Sequence, residues 1–241
     1  MANEEHLKIL KQGVEQWNKW RLENATRPDL GGAKLSGAKL SQADLSGTYL
    51  FNAKLSEADL SAANLSGAYL IGAILSGANL RDVNLSGAKL IGAILIGADL
   101  TSADLADADL SRSLLVETDF TNATITGCRI YGASAWNVTL VGTVQDNLVI
   151  TKEGEPVVTV DNLEVGQFIY LMLNNTKIRN VIDTIGKKGV LILGRFTEAR
   201  KAVLDALKAR LRHFDLVPMV FDWDKPTRRD LTETVQLLAN M

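Results

Sequence analysis

Residues able to do chemistry are sparse in this 241-residue chain, which holds one cysteine and two histidines. Nucleophilic catalysis needs a Ser, Cys or Thr paired with a base. Cys128 has Ala123 and Ala133 five residues to either side and falls in a run of small residues at that spacing, so it reads as a buried small hydrophobe. His6 and His213 lie at opposite ends of the chain, and neither has metal-ligand spacing to the other or to a cysteine. No GxxxxGK(S/T) or GxGxxG occurs, and Gly186, Gly189 and Gly194 do not form a phosphate cradle in the required order. Two constellations remain. Arg195, Phe196 and Thr197 would sit where the carboxyl end of a strand meets a helix N-terminus, the usual place for an anion or nucleotide in α/β folds. The competing reading is a tight turn capped by Thr197. Asp222 and Asp224 follow a second strand, where carboxylates hold a ribose or a cation or simply cap and solvate the chain end. Asp99, Asp104, Asp107 and Asp109 suggest calcium, but a five-residue period sends the first, second and fourth to different faces. No metal and no cofactor is expected, and no catalytic residue is assigned.

Charge narrows the partners. Lys and Arg number 26 against 28 Asp and Glu, a net of -2, which fits neither a general polyanion binder nor a strongly acidic decoy. One cysteine excludes an internal disulfide framework and a zinc site built on several cysteines. The first twenty residues mix charged and apolar side chains and show no signal-peptide core. The central run Leu90 to Ala98 is far shorter than the roughly 20 residues of a membrane span. A soluble, cytoplasmic protein with no direct nucleic-acid and no membrane partner is expected.

What positions any site is a repeat. Every fifth residue from Leu30 is Leu through Leu115, followed by Phe120, Ile125, Ile130, Ala135 and Leu140. Two residues before each, from Ala33 to Val138, the residue is small and mostly Ala. A period of five is neither the 3.6 of a helix nor the 2 of a strand. Glycine recurs at Gly37, Gly47, Gly67, Gly77, Gly87 and Gly97, each costing a continuous helix roughly 1 kcal/mol. The chain must turn a corner every five residues, with one large and one small apolar residue pointing into a narrow interior. Residues 65–80 and 85–100 agree at 13 of 16 positions, so four pentads per turn is the simplest coil.

The units Ala43-Asp44-Leu45, Ala63-Asn64-Leu65, Ala78-Asn79-Leu80, Ala98-Asp99-Leu100 and Ala103-Asp104-Leu105 resemble the consensus of the pentapeptide-repeat family. The resemblance covers about residues 28–142. It implies a β-solenoid, a right-handed quadrilateral β-helix of roughly five to six coils and, at ~4.8 Å per coil, about 25 to 30 Å long.

The sequence divides into an N-terminal capping helix over 1–27, the β-helix over 28–142, a linker and helical pair over 143–187, and a partial α/β domain over 188–241. In the first, Leu7, Leu10, Val14, Trp17 and Trp20 form one helical stripe that Pro28 ends, similar to the N-terminal caps of bacterial pentapeptide proteins. Helical patterns begin at Asp161 and after the Asn174-Asn175 break, and this pair is expected to cap the far end. Val190–Leu193 reads as a buried parallel strand, Thr197 to about His213 as a helix, Leu216–Trp223 as a second strand and Thr227–Ala239 as a second helix. That order looks like the first half of a Toll/interleukin receptor (TIR)-like or nucleotide-binding domain. Two strands make no stable sheet alone. Either residues 156–160 add a strand, or another chain does, or the domain continues beyond Met241, the reading favoured by the sequence.

Residues twenty apart stack in columns on such a rod. One column reads Lys34, Lys54, Ile74, Ile94, Leu114; a neighbour reads Phe51, Ile71, Ile91, Ser111, Tyr131; beside the first lies Ser56, Ser76, Ile96, Val116. These apolar entries fall at outward or corner positions along one edge, which on a soluble solenoid normally means contact. The expected role is a non-catalytic scaffold mediating protein–protein interaction or self-association of a C-terminal α/β effector, through a dimer or through docking of residues 160–241 on this edge. One alternative is a TIR-like effector that cleaves a nicotinamide dinucleotide or senses a nucleotide when complete. The other comes from quinolone-resistance relatives, whose acidic rods imitate DNA and bind topoisomerase. Residues 28–142 hold 11 acidic and 7 basic side chains, a net of -4, with Lys34, Lys39, Lys54 and Lys89 interrupting the field.

Overall fold

The computed structural model describes residues 2–194 and 198–222. Its dominant feature follows directly from the five-residue period. Parallel bridges join residues twenty apart without a break, from Asp29↔Tyr49 to Arg129↔Val149. They fall into four columns, headed by Asp29, Lys34, Lys39 and Asp44, which are the four faces of a β-helix and are called the first to fourth faces below. The inward Leu and Ala of successive pentads fill the interior, most of them fully buried from Leu30 to Cys128.

Each corner is a four-residue turn closed by a bond such as Ala58 N–H to Leu55 O, at 3.1 Å. Its third residue is left-handed: φ lies between 54° and 72° at every fifth position from Gly32 to Asn147. This is why glycine recurs at that spacing. A left-handed residue costs a side chain roughly 1–2 kcal/mol unless it is Gly or, less so, Asn or Asp, and Asn52, Asp82, Asp107 and Asn122 occupy further corners. At Gly72 a Cβ would also collide with the Asn52 amide one coil below.

Small polar residues at Ala positions are satisfied by a rule of the coil. Thr118 Oγ1 donates to Leu95 O at 2.8 Å, Cys128 Sγ to Leu105 O at 3.0 Å and Thr143 Oγ1 to Phe120 O at 2.7 Å, each 23 residues back, whereas Ser113 Oγ donates within its own turn to Leu110 O at 2.7 Å. Counting 23 back from Thr48 reaches Ala25, before the first coil, and the buried Thr48 hydroxyl has no partner.

The expected single N-terminal helix is two: α1 (Glu4–Lys11) and α2 (Val14–Glu23), parted at Gln12-Gly13 where Gly13 takes a φ of 120°. Their side chains stand in for a preceding coil. The fully buried Trp17 donates its indole N–H to Asp44 O at 2.7 Å, and Asn18 Oδ1 accepts from Asp44 N–H at 2.8 Å. His6 Nδ1 accepts from Asp29 N–H at 3.0 Å, while Asn3 N–H donates to Asp29 O at 2.9 Å. At Asp29 and Asp44, backbone groups that an open solenoid edge would leave bare are thereby paired.

At the other end, β1 (Leu148–Val149) pairs antiparallel with β2 (Thr159–Val160), so residues 156–160 do not extend the later sheet. Helix α3 (Leu163–Asn174) sits on the last coil. Gln167 Oε1 accepts from Ala135 N–H at 2.5 Å, Gln145 Oε1 from Leu163 N–H at 2.9 Å, and the close approach at Gly166 leaves no room for a Cβ against Ile130 and Ile150.

The chain divides into compact units at Met1–Asn174 and Asn175–Met241, which separates α3 from α4 (Thr176–Lys188). In the second unit β3 (Gly189–Gly194) pairs in parallel with β4 (Val217–Asp222), and α5 (Glu198–His213) crosses between them. Among the described residues, no helix is long and apolar enough to cross a membrane.

Candidate interaction surface

The outward position of each pentad lies between the small residue and the Leu, and its identity separates the faces. On the third face, Asp59, Asp99 and Asp119 each accept from the backbone N–H two residues on, in Ser61, Thr101 and Thr121, at 2.8–3.1 Å. The same oxygens also accept from those residues' hydroxyls, at 2.5–2.7 Å. On the fourth face Asp44, Asn64, Asn84 and Asp104 do likewise toward the amides of residues 46, 66, 86 and 106. These are Asx turns, and they tie down the corner N–H that the coil leaves without a backbone partner. The Ser61 hydroxyl and amide hold the Asp59 carboxyl below the usual carboxylate range. Burial pushes Asp44 and Asp99 up, but the following Ser46 or Thr101 hydroxyl and amide, with Arg21 and Arg81, outweigh it and both are lowered.

The second face carries none of this chemistry. Lys34, Lys54, Ile74, Ile94 and Leu114 stack in register, and their side chains have no acceptor to offer. Ile74 and Ile94 are half-buried against each other, while Leu114 is 37% exposed. Flanking corners extend the apolar area: Phe51, Ile71 and Ile91 on one side, all half-buried, and on the other Ile96, 38% exposed, with half-buried Val116. All eight residues expected at the surface therefore lie on one side of the rod.

The structure adds aromatic residues that column reading did not single out. Tyr49 and Tyr69 of the first face cluster with Phe51, ring centroids 5.1–5.8 Å apart, and the Arg27 guanidinium lies 5.6 Å over the Tyr69 ring. Their offset of twenty was the available signal. The corner column is less uniform than expected. Ser111 is buried, its hydroxyl without a partner, and Tyr131 is met edge-on by Tyr170 of α3 at 5.0 Å.

The remaining candidates separate cleanly. Burial pushes the Cys128 thiol up to about 12, which removes it as a nucleophile. Asp99, Asp104 and Asp109 occupy the third, fourth and first faces, and among the described residues no group of acidic, His or Cys side chains could hold a metal ion. Asp222 ends β4 opposite Gly194. Arg195, Phe196, Thr197 and Asp224 lie outside the described residues, as does the helix expected over 227–239.

Similarity to known proteins follows the coil. The model of the family "Pentapeptide repeats" matches residues 29–67, 63–102 and 103–140. A pentapeptide repeat protein from the Arabidopsis thaliana thylakoid lumen is 25% identical, with 58% of this chain and 97% of that one covered and a TM-score of 0.38. The pentapeptide repeat protein Rfr23 of the cyanobacterium Cyanothece 51142 is 27% identical over 52% of this chain and 95% of that one, at a TM-score of 0.30. QnrB1, a plasmid-mediated fluoroquinolone resistance protein, is 23% identical over 48% and 76%, at 0.32. No curated protein matches the sequence. With the family model spanning the same residues whose coils repeat every twenty, residues 29–140 belong to the pentapeptide-repeat family.

Proposed function

We propose that this protein is a non-catalytic scaffold that binds another protein through the second face of its β-helix and its flanking corners, and in doing so brings together the α/β units carried after Asn174. The supporting observation is the segregation of outward side chains. Two faces spend the outward position on corner-tying Asp and Asn, whereas the second face places Ile74, Ile94 and Leu114 there, beside Ile71, Ile91, Ile96 and Val116. Aliphatic side chains at this position tie down no corner amide, and a contiguous patch of them on the outside marks a contact site. Lysine already occupies this column at Lys34 and Lys54, so Ile74→Lys with Ile94→Lys leaves the coil able to form. The pair is expected to abolish association, read as molar mass by light scattering, with little change in melting temperature. Unchanged mass and unchanged stability would remove the proposal.

A further inference from the structure

Resting on that reading of the surface, we propose that its occupant is a second copy of this chain, laid antiparallel with the two-fold axis between the coils of Ile74 and Ile94. The charge pattern along the second face sets the direction. It runs Lys34, Lys54, Ile74, Ile94, Leu114, Ser134, cationic at one end and uncharged beyond it. Parallel copies would place Lys34 against Lys34 and Lys54 against Lys54, like charges at contact distance. In the antiparallel arrangement Ile74 faces Ile94 of the second copy, Ile71 faces Ile91, and the Lys54 stem lies over Leu114 with its ammonium reaching solvent past the rim. Each of these contacts occurs twice.

Spacing favours a copy over an unrelated helix. The face is a ladder of outward side chains with the ~4.8 Å repeat of stacked strands, which a second β-helix matches rung for rung, whereas a helix turn advances about 5.4 Å. At packed sheets about 10 Å apart, Lys54 and the facing Leu114 come within reach of a short bis-maleimide. Lys54 of the two copies would instead be offset along the rod by three coils, about 14 Å.

The test uses Lys54→Cys and Leu114→Cys in the full chain, each combined with Cys128→Ala to remove the native thiol; alanine is the usual residue of that inward column. Cross-linking of an equimolar mixture of the two variants, and of the double Lys54→Cys, Leu114→Cys chain, with neither single variant linking to itself, is the expected result. Self-linking of either single variant would overturn the antiparallel arrangement. A wild-type chain that stays at the mass of one copy at high concentration would overturn the second copy as occupant. If wild type is a dimer that Ile74→Lys with Ile94→Lys leaves intact, the surface reading falls with the proposal. If those changes break the dimer but single variants self-link, only the arrangement falls.

Discussion

The second and third faces of the rod share backbone, coil spacing and inward residues, and they differ in one side chain per pentad. On the third face Asp59, Asn79, Asp99 and Asp119 turn back to hydrogen-bond their own corner. On the second face Lys54, Ile74, Ile94 and Leu114 point away and bond nothing behind them. The fold itself does not distinguish these choices, because the ladder bonds are the same: Leu75 N–H to Ile94 O and Leu80 N–H to Asp99 O are both 2.7 Å. A pentapeptide coil therefore separates what builds it from what it presents. Its inward Leu and Ala make the rod, and the outward residue is free either to stabilise a corner or to make a surface.

The largest effect is expected where the fourth face begins. Trp17→Ala removes a fully buried side chain and the donor to Asp44 O. It should cost about 3–5 kcal/mol in a denaturant titration, enough to expose the first coil to hydrogen exchange. Smaller and face-specific, Asp99→Ala deletes the bonds to the Thr101 amide and hydroxyl, for about 1 kcal/mol. Ile94→Ala should cost a dilute, monomeric sample less than that. Equal losses at the two sites would break the contrast between the faces.

Acid should act on the polar faces alone. Asp44, Asp59 and Asp99 are held below their ordinary values in the fold, so the unfolded chain takes up protons first as pH drops. Their contribution is complete above the unfolded value, about 4, and is lost as pH falls through the lower folded values. Thermal melts should show the decline below about pH 4. Asp59→Asn with Asp99→Asn, which keeps the acceptors as Asn79 and Asn84 do, should flatten it.

Much of this was legible in the chain because a repeat states each rule many times. Period-five Leu and the twenty-residue offset follow from counting, and the bridges stack Ile74, Ile94 and Leu114 in the column that counting gives. What counting missed depends on three dimensions or on single occurrences. The glycines were read as helix breakers, whereas their role is the left-handed corner, which Glu57, Ala62 and Arg112 also adopt under strain. The Asp or Asn of the Ala-Asp-Leu and Ala-Asn-Leu units carries the family resemblance in sequence, and in the fold it makes an Asx turn. The end of α1 at Gln12-Gly13, and the pairing of Asp29 and Asp44 by His6, Trp17 and Asn18, involve residues met once, with no repetition to expose their purpose. Tyr49 and Tyr69 join Phe51 across a corner that a single column does not show.

The central claim is that one outward side chain per pentad decides between tying a corner and making a contact. Ile74→Asn combined with Ile94→Asn tests it most directly: an asparagine ahead of Leu75 and Ser76 reproduces the Asn-Leu-Ser seen at residues 64–66 and 84–86, and one ahead of Leu95 and Ile96 needs only the backbone amide two residues on, as Asn79 does with Arg81. Molar mass should fall from two chains to one, while the dilute protein melts no lower than wild type, since each neutral hydrogen bond gained contributes roughly 0.5–1.5 kcal/mol. A mass unchanged from wild type, or a dilute protein that melts lower, would contradict the account.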